Sequence, residues 1–398
     1  EKCPDVRICR RLVLQNQARP HELQGVRKTS SVLDAVRETA GWGLNRISDI
    51  GSEQTCTDLN MPQRKKVNLA LQGGGAHGAF TWGVLDRLFD DDRLEIEAIS
   101  GTSAGAMNAV VAADGMLNDG YEGARRALRN FWKAVSVFAL PSPYKRTFYD
   151  IITGNWNLDH SPGYLSFDLI SRIASPYDLN PLNNNPLKDF LTEQINFERV
   201  RGRDGMKLFI AATSVQTGRV RIFDRSQLTA DVIMASACLP YIFQAVSIEG
   251  QDYWDGGYSG NPPLHPLAYR CTSTDVIIVQ INPLGCQKTP TSAREIRNRI
   301  NEITFNAILL RELRAIEFVN RLLDEGSLDP NNYKKMQIHT IAAENGFNNL
   351  NASSKMNAEW DFLLHLHEVG RRVADDWLEM NFEAIGQRST FDLNSVLD

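Results

Sequence analysis

The sequence predicts an α/β protein with three layers, in which helices cover both faces of a largely parallel central sheet. Short apolar runs that fit strands alternate with longer segments at helical spacing, and this alternation is typical of such folds. Two of the runs end in glycine-rich turns, at Gly73–Gly75 and at Gly101–Gly105, where loops of a parallel sheet carry binding sites. A third run, Asp275–Asn282, is strongly apolar, as expected for a central strand that is buried on both faces.

The composition is that of a soluble globular protein. Hydrophobic residues make up 42% and charged residues 23% of the 398 positions, and the net charge of −5 gives no reason to expect nucleic acid as a partner. No apolar run approaches the roughly 18 residues that cross a bilayer, and no signal peptide is visible. The six cysteines are scattered without a zinc spacing, so we read them as free thiols. We therefore expect a cytoplasmic protein without metal or cofactor.

The first chemical motif is a serine turn after the predicted strand Ile96–Ser100. It fits the G-x-S-x-G nucleophile elbow, in which a strained strand-to-helix turn presents the hydroxyl of the serine. Flanking glycines let the neighbouring chain pack closely, and the following helix offers free N–H groups to a developing negative charge. An ordinary small-residue turn has the same pattern, so the motif alone leaves both interpretations open. Its residues are Gly101, Thr102, Ser103, Ala104 and Gly105.

A second motif is the glycine-rich loop Gly73–Gly78, between the first strand and an amphipathic helix. Its G-x-G-x-x-G pattern also fits a dinucleotide-binding turn, for which Glu95 and Glu97 stand at about the expected distance. The second strand, however, continues past both acids into the serine turn. This favours the other use of such a loop, an oxyanion hole made of bare N–H groups. The candidate donors are Gly73, Gly74, Gly75, Ala76 and Gly78.

A third motif lies far downstream, where a predicted hairpin of residues 246–254 leads into Asp255-Gly256-Gly257. An aspartate at the end of a strand is well placed to reach into a site, although a simple Asp-Gly-Gly turn has the same sequence. In this order the three motifs resemble the patatin-like phospholipase family, over about residues 66–282. Supporting matches are Ala235-Ser236-Ala237, Pro240, Phe243 and Asn261-Pro262.

The resemblance implies a serine acyl hydrolase with a Ser–Asp dyad, in which Ser103 is the nucleophile and Asp255 is the base. Burial would raise the pKa of Asp255 and make it a better base, and we expect Tyr253 and Trp254 to supply the apolar surroundings. One departure is His77, where relatives often carry Arg or Lys. The rival mechanism is a triad that uses His265 or His339, which follow Asp255 in the chain.

The substrate implied by the resemblance is a lipid acyl ester, as for a phospholipase A or lipolytic esterase. Short-chain or polymeric hydroxyacyl esters, transacylation, and a non-catalytic nucleotide- or lipid-binding protein remain as alternatives. The sequence fixes neither the head group nor the oligomeric state, so a homodimer stays open. Peripheral contact with a membrane stays open. The irregular, aromatic-rich stretch Pro141–Asn185 fits a lid that contacts acyl chains or membrane, or an ordinary packed insertion. The basic amphipathic helix in Ser292–Glu325 fits a helix on a membrane surface, or one packed on the core.

We expect three parts in the chain. Residues 1–65 form an N-terminal extension and linker with one helix inside Ser30–Ile50. Residues 66–282 form the patatin-like catalytic domain. Residues 283–398 form a mostly helical C-terminal region packed on that domain. This last region looks similar to the extra segment of a bacterial subgroup of the family.

Overall fold

A computed structural model of the protein describes residues 64–202, 204–286, 289–342, 347 and 349–396. The predicted helix inside Ser30–Ile50 lies outside the described residues, as does most of the predicted N-terminal extension. The strands are β1 (Lys65–Leu71), β2 (Leu94–Gly101), β3 (Lys207–Ser214), β4 (Val220–Asp224), β5 (Val246–Ile248), β6 (Gln251–Asp255), β7 (Asp275–Gln280) and β8 (Gln337–Ala342). The helices are α1 (Gly78–Asp90), α2 (Ala104–Phe138), α3 (Phe148–Ile152), α4 (Pro162–Ile170), α5 (Pro176–Leu179), α6 (Pro186–Gln194), α7 (Phe197–Gly202), α8 (Ala230–Ser236), α9 (His265–Arg270), α10 (Ala293–Asp324) and α11 (Trp360–Asn381).

The described strands form one mixed sheet in the order β5-β6-β3-β2-β1-β7-β8, and β4 also pairs with β3. Strands β3, β2, β1, β7 and β8 are parallel, whereas β4, β5 and β6 join antiparallel at one side. The expected largely parallel sheet is thus confirmed. The apolar strand β7 is fully buried but lies one strand in from the edge, because β8 pairs with it.

Two apolar clusters pack on the two faces of this sheet, which gives the predicted three layers. Successive side chains of a strand point to opposite faces, so Ile277 and Val279 join one cluster while Val276 and Ile278 join the other. Helices α1, α2 and α11 cover the first face, and α9 and α10 cover the second. Strand β8 and helices α10 and α11 therefore belong to the same layers as the elements before residue 283.

The helix that follows the serine turn is α2, which is broken at Asp119 and Gly120. Gly120 takes a φ of 56°, a left-handed conformation that glycine adopts easily. The stretch Pro141–Asn185, expected to be irregular, contains the short helices α3, α4 and α5. Its local signals account for the difference: Thr147 and Ser175 each form a capping box, and α4 and α5 begin with proline.

Candidate active site

The two glycine-rich motifs meet at one edge of the sheet, because β1 and β2 are parallel neighbours that end together. Leu71 lies opposite Gly101, and the N–H of Thr102 donates to the carbonyl of Leu71 at 3.3 Å. A Cβ placed on Gly73 would lie 2.7 Å from the Cβ of Ser103. Only glycine at position 73 lets the loop approach the serine this closely.

Ser103 occupies the sharp turn that the G-x-S-x-G pattern predicts. Its φ of 55° and ψ of −122° are unusual for a residue with a side chain, and α2 begins at the next residue. The side chain keeps partial exposure while its neighbours Thr102 and Ala104 are buried. The N–H of Ser103 donates to the hydroxyl of Ser236 at 3.0 Å, which fixes the turn from α8.

Asp255 reaches the same edge from the antiparallel hairpin, which is present as predicted. It ends β6 and pairs with Ala212, two residues beyond the β3 residue that lies opposite Gly101. Its side chain is buried, and Oδ1 accepts the N–H of Gly257 at 2.7 Å. Burial raises the pKa of Asp255 to about 7. The Gly257 N–H, the Ser103 hydroxyl and the charge of Lys355 act in the opposite direction.

The apolar surroundings of Asp255 come largely from outside its own strand. The ring of Tyr253 packs against Phe223, with ring centroids 5.6 Å apart, and Trp254 points to the opposite face of the strand from Asp255. An aromatic ring from another helix, Phe305 of α10, packs beside the site: a Cβ on Gly257 would overlap this ring and lie 3.0 Å from Asp255 Oδ1. This residue lies about 50 positions downstream in a helix that carries no motif.

The hydrogen bonds of the glycine loop divide its N–H groups into two sets. Gly73 donates its N–H to Asn261 Oδ1 at 2.7 Å, and Gly78 donates to carbonyls of the preceding turn. Within the described residues, the N–H groups of Gly74, Gly75 and Ala76 meet no hydrogen-bond acceptor. The structure therefore narrows the candidate donors from the five residues of the predicted set to these three.

A segment from the C-terminal part of the chain packs directly on this loop. The short 3₁₀ turn Ser353–Met356 places the Ser354 hydroxyl 2.8 Å from His77 Nε2, and its backbone fills the space beside Gly75. The side chain of Lys355 enters the site and donates to Asn282 Oδ1 at 2.7 Å. No local pattern in the sequence marks this turn as part of a site.

The groups that rival interpretations require are engaged elsewhere. Glu97, the acid of a nucleotide site, accepts the N–H groups of Thr272 and Ser273 and pairs with Lys207. The other candidate acid, Glu95, pairs with Lys66 at 3.2 Å.

The two histidines of the rival triad also have other partners. His339 bonds Asp275 at 3.0 Å, and Asp275 begins β7, so this pair lies at the opposite end of the parallel sheet from Ser103. His265 contacts Glu312 of α10 at 3.3 Å. Among the described residues, no group of three or more His, Cys, Asp or Glu side chains is placed to hold a metal ion.

Comparison with known proteins identifies one family. A model of the family described as patatin-like phospholipase matches residues 69–268, which is half of the chain. An uncharacterised protein of Acanthamoeba polyphaga mimivirus is 26% identical over 222 residues, which are 53% of this chain and 64% of that relative. The chain thus covers less than two thirds of that relative's length.

Two solved bacterial structures are similar at low identity. VipD from Legionella pneumophila matches over 77% of this chain and 67% of its own, with 14% identity and a TM-score of 0.33. ExoU from Pseudomonas aeruginosa, solved with SpcU from the type III secretion system, matches over 81% of this chain and 52% of its own. Its identity to this chain is 14% and the TM-score is 0.35.

Proposed function

Because the chain belongs to the patatin-like phospholipase family, we propose that it hydrolyses acyl esters of lipids, with Ser103 as the nucleophile and Asp255 as its base. The observation that carries the proposal is the meeting of three separate motifs at one edge of the sheet. A strained serine, a carboxylate with a raised pKa and a loop with unused N–H groups are the parts that acyl transfer needs.

In the first half of the reaction, Asp255 takes the proton of the Ser103 hydroxyl as its oxygen attacks the ester carbonyl. The negative charge on the former carbonyl oxygen is stabilised by N–H groups of Gly74 and Gly75 and by Ala104 at the start of α2. Asp255 then returns the proton to the departing alcohol, which leaves an acyl-serine. The Ser103 hydroxyl lies close enough to Asp255 to lower the pKa of that carboxyl, and such a contact commonly tightens when a substrate binds.

In the second half, Asp255 takes a proton from water, whose oxygen attacks the acyl-serine carbonyl. The same N–H groups stabilise the second oxyanion, and its collapse releases the fatty acid and returns the proton to Ser103. A pKa of about 7 suits this role, because near neutral pH the carboxylate is available and still accepts a proton readily.

The proposed preference for lipid rests on an exposed apolar surface within residues 148–182. Monomeric proteins rarely expose large contiguous apolar patches unless these bind something. Helix α4 has no buried residue, and the exposed fraction reaches 81% at Ile173 and 80% at Leu182. We call residues 148–182 the apolar segment; its exposed large side chains are Phe148, Tyr149, Ile151, Ile152, Leu165, Leu169, Ile170, Ile173, Tyr177, Leu179 and Leu182.

The apolar segment is attached to two elements that flank Asp255. The Tyr177 hydroxyl accepts the N–H of Ala245, which directly precedes the hairpin of β5 and β6. Asp168 pairs with Arg297 of α10 at 3.1 Å, beside the exposed Ile296 and Ile300 of that helix. We propose that this surface rests on the membrane and delivers acyl chains to Ser103. Among the described helices, none is long and apolar enough to cross a bilayer.

The first test labels the serine and measures turnover. We expect a fluorophosphonate probe to label the wild type, and hydrolysis of p-nitrophenyl esters or dispersed phospholipid to fall by about 10³-fold or more in Ser103→Ala. Ser395→Ala is the matched control, since the exposed Ser395 hydroxyl donates to the carbonyl of Asp392, outside the glycine loop and the apolar segment.

The outcome also separates the alternatives. Activity confined to short p-nitrophenyl esters would favour an esterase on short-chain or polymeric hydroxyacyl esters. A folded wild type that is inactive on every ester and unlabelled would reject the hydrolase and leave a binding protein on the same fold. Labelling with retained activity in Ser103→Ala would place the nucleophile elsewhere.

A further inference from the structure

We propose that Lys355 supplies a positive charge to the oxyanion site and, through Asn282, holds the glycine loop in place. The proposal rests on the function proposed above. Lys355 is a positioning residue. Its ammonium acts electrostatically on the oxyanion and, through Asn282, on the glycine loop.

A chain of contacts runs from Lys355 to the glycine loop. Lys355 Nζ donates to Asn282 Oδ1 at 2.7 Å, and Asn282 Nδ2 donates to the carbonyl of Gly73 at 3.1 Å. The backbone N–H of Asn282 is fixed in turn by Gln72 Oε1 at 2.9 Å. The ammonium of Lys355 is thus linked to Gly73 through Asn282, and the backbone carbonyl of Lys355 packs beside Gly75.

The ammonium of Lys355 lacks a directly paired carboxylate among the described residues. Within the described residues, Lys355 forms no salt bridge, and its ammonium donates to the neutral amide oxygen of Asn282. Nearby Glu302 of α10 is paired with Arg299 at 3.0 Å. An ammonium in the interior without a paired anion is costly, and such groups occur where function requires them.

The other basic group at the glycine loop is His77. Burial lowers the pKa of His77 well below 6.5, and the charge of Lys355 lowers it further, so the imidazole is neutral near neutral pH. Lys355 therefore provides the positive charge at this loop. Its residue keeps some exposed surface although its ammonium lies deep in the protein, as expected on the wall of a cleft that receives substrate.

The charged groups around Lys355 predict how its loss would affect pH dependence. The pKa of Lys355 is lowered, because the effect of burial outweighs the opposing charges of Glu302 and Asp255. Conversely, Lys355 lowers the pKa of Asp255, which is also affected by the Gly257 N–H and the Ser103 hydroxyl.

Two further groups beside Asp255 do not change this expectation. The thiol of Cys238 and the hydroxyl of Tyr258 both face Asp255, and burial raises the pKa of each to about 12. Both are therefore neutral across the working range. Removing the lysine charge should then move the pKa of Asp255 upward.

The experiment compares Lys355→Met and Lys355→Gln with the wild type on a neutral p-nitrophenyl ester, using the full chain. Gln keeps a hydrogen-bond donor to Asn282 without the charge. We expect kcat to fall about 10- to 100-fold with KM changed less than about threefold, since the charge acts on the oxyanion of the transition state. The acidic limb of the kcat/KM profile should move to higher pH.

Two variants serve as references. Lys355→Arg restores a permanent charge, so it should recover most of kcat and remove any alkaline limb due to Lys355. Lys334→Met is the matched control: Lys334 is half-buried and donates to the carbonyl of Cys271, at the other end of the sheet. It should leave the pH profile unchanged.

Unchanged kcat and an unchanged acidic limb in an active, folded Lys355→Gln would overturn the proposal. So would a loss seen only as a higher KM for phospholipids, which would make Lys355 a head-group site. If Lys355→Met and Lys355→Gln both unfold, Lys355→Arg still tests the proposal. An alkaline limb of the kcat/KM profile that persists unchanged in Lys355→Arg is not due to Lys355 and counts against the proposed role of its charge. A wild type that neither turns over ester nor reacts with the probe refutes the hydrolase function itself, and with it the role of Lys355.

Discussion

Two buried aspartates stand at opposite ends of the sheet, and their surroundings differ sharply. Asp255 and Asp275 are 1% and 2% exposed. Asp275 begins β7, where Oδ1 accepts from His339 at 3.0 Å and from the N–H of Gly386 at 2.7 Å. Burial opposes ionisation there, but the His339 bond and the Gly386 N–H outweigh it and lower the pKa of Asp275. Asp255 has the Gly257 N–H as its aligned donor, and its pKa is raised instead.

On the proposed function, the difference separates a structural carboxylate, Asp275, from a reactive one, Asp255. A buried carboxylate that receives several donors is stable as an anion and is a poor base. A buried carboxylate that receives few hydrogen bonds is less stable as an anion, so its affinity for a proton is higher, as a general base requires. Burial alone therefore does not separate the two carboxylates. Asp255 and Asp275 differ in the hydrogen-bond donors that face them.

The largest expected effect is on turnover in matched Asp→Asn variants. Asp255→Asn should lower kcat/KM by about 10³-fold, since general-base catalysis contributes about 10²- to 10⁴-fold. Asp275→Asn should leave kcat/KM within about threefold of the wild type wherever the variant is folded. Both are measured on one soluble p-nitrophenyl ester, with circular dichroism to establish folding.

Substantial activity in Asp255→Asn would break the comparison and point to a histidine base. His339→Gln and His265→Gln then test the two histidines of the rival triad, since they remove the imidazoles that contact Asp275 and Glu312. We expect neither variant to change kcat, and we expect His339→Gln to cost stability.

The second effect is on stability, where the two aspartates should have opposite signs. The pKa of Asp255 is raised in the folded state, so the wild type loses stability as pH rises from about 4 to about 7, by up to about 4 kcal/mol. Asp275 has a lowered pKa and stabilises the fold above about pH 4, and this contribution is lost as pH falls through its folded pKa.

Urea unfolding at several pH values measures this difference. Relative to the wild type, Asp255→Asn should gain stability as pH rises, whereas the deficit of Asp275→Asn should be largest near neutral pH and shrink in acid. Parallel curves for the two variants would mean that both carboxylates have the same role.

The sequence predicted the parts of the site that are encoded locally. The strained turn at Ser103, the glycine loop and the hairpin to Asp255 each follow from a short motif and the elements beside it. The groups that set the chemistry of Asp255 come from distant segments. Phe305 and Lys355 lie about 50 and 100 residues downstream of Asp255, and nothing in their neighbours distinguishes them from packing or surface residues.

The two ends of the sheet also differ at the surface, which gives the smallest expected effect. The apolar segment is tied to the Asp255 end, whereas exposed Tyr269 lies near the start of β7, at the Asp275 end. Tyr269 is 85% exposed and Ile152 is 68% exposed, so both are open to substitution.

If the apolar segment contacts the membrane, Ile151→Ser with Ile152→Ser should lower hydrolysis of vesicle phospholipid by about fivefold, because each side chain loses part of its apolar burial in the bilayer. The rate on a soluble short ester should stay unchanged, since neither residue touches Ser103. Tyr269→Ser is the control and should affect neither substrate. Point substitutions are a sharper test than removal of residues 153–162, because that stretch contains the buried Leu158. The N–H of Leu158 donates to Ser353 Oγ at 2.9 Å, in the same turn as Lys355, so its removal would also disturb the site. Equal losses on both substrates would mean that the segment shapes the site instead of docking it to lipid.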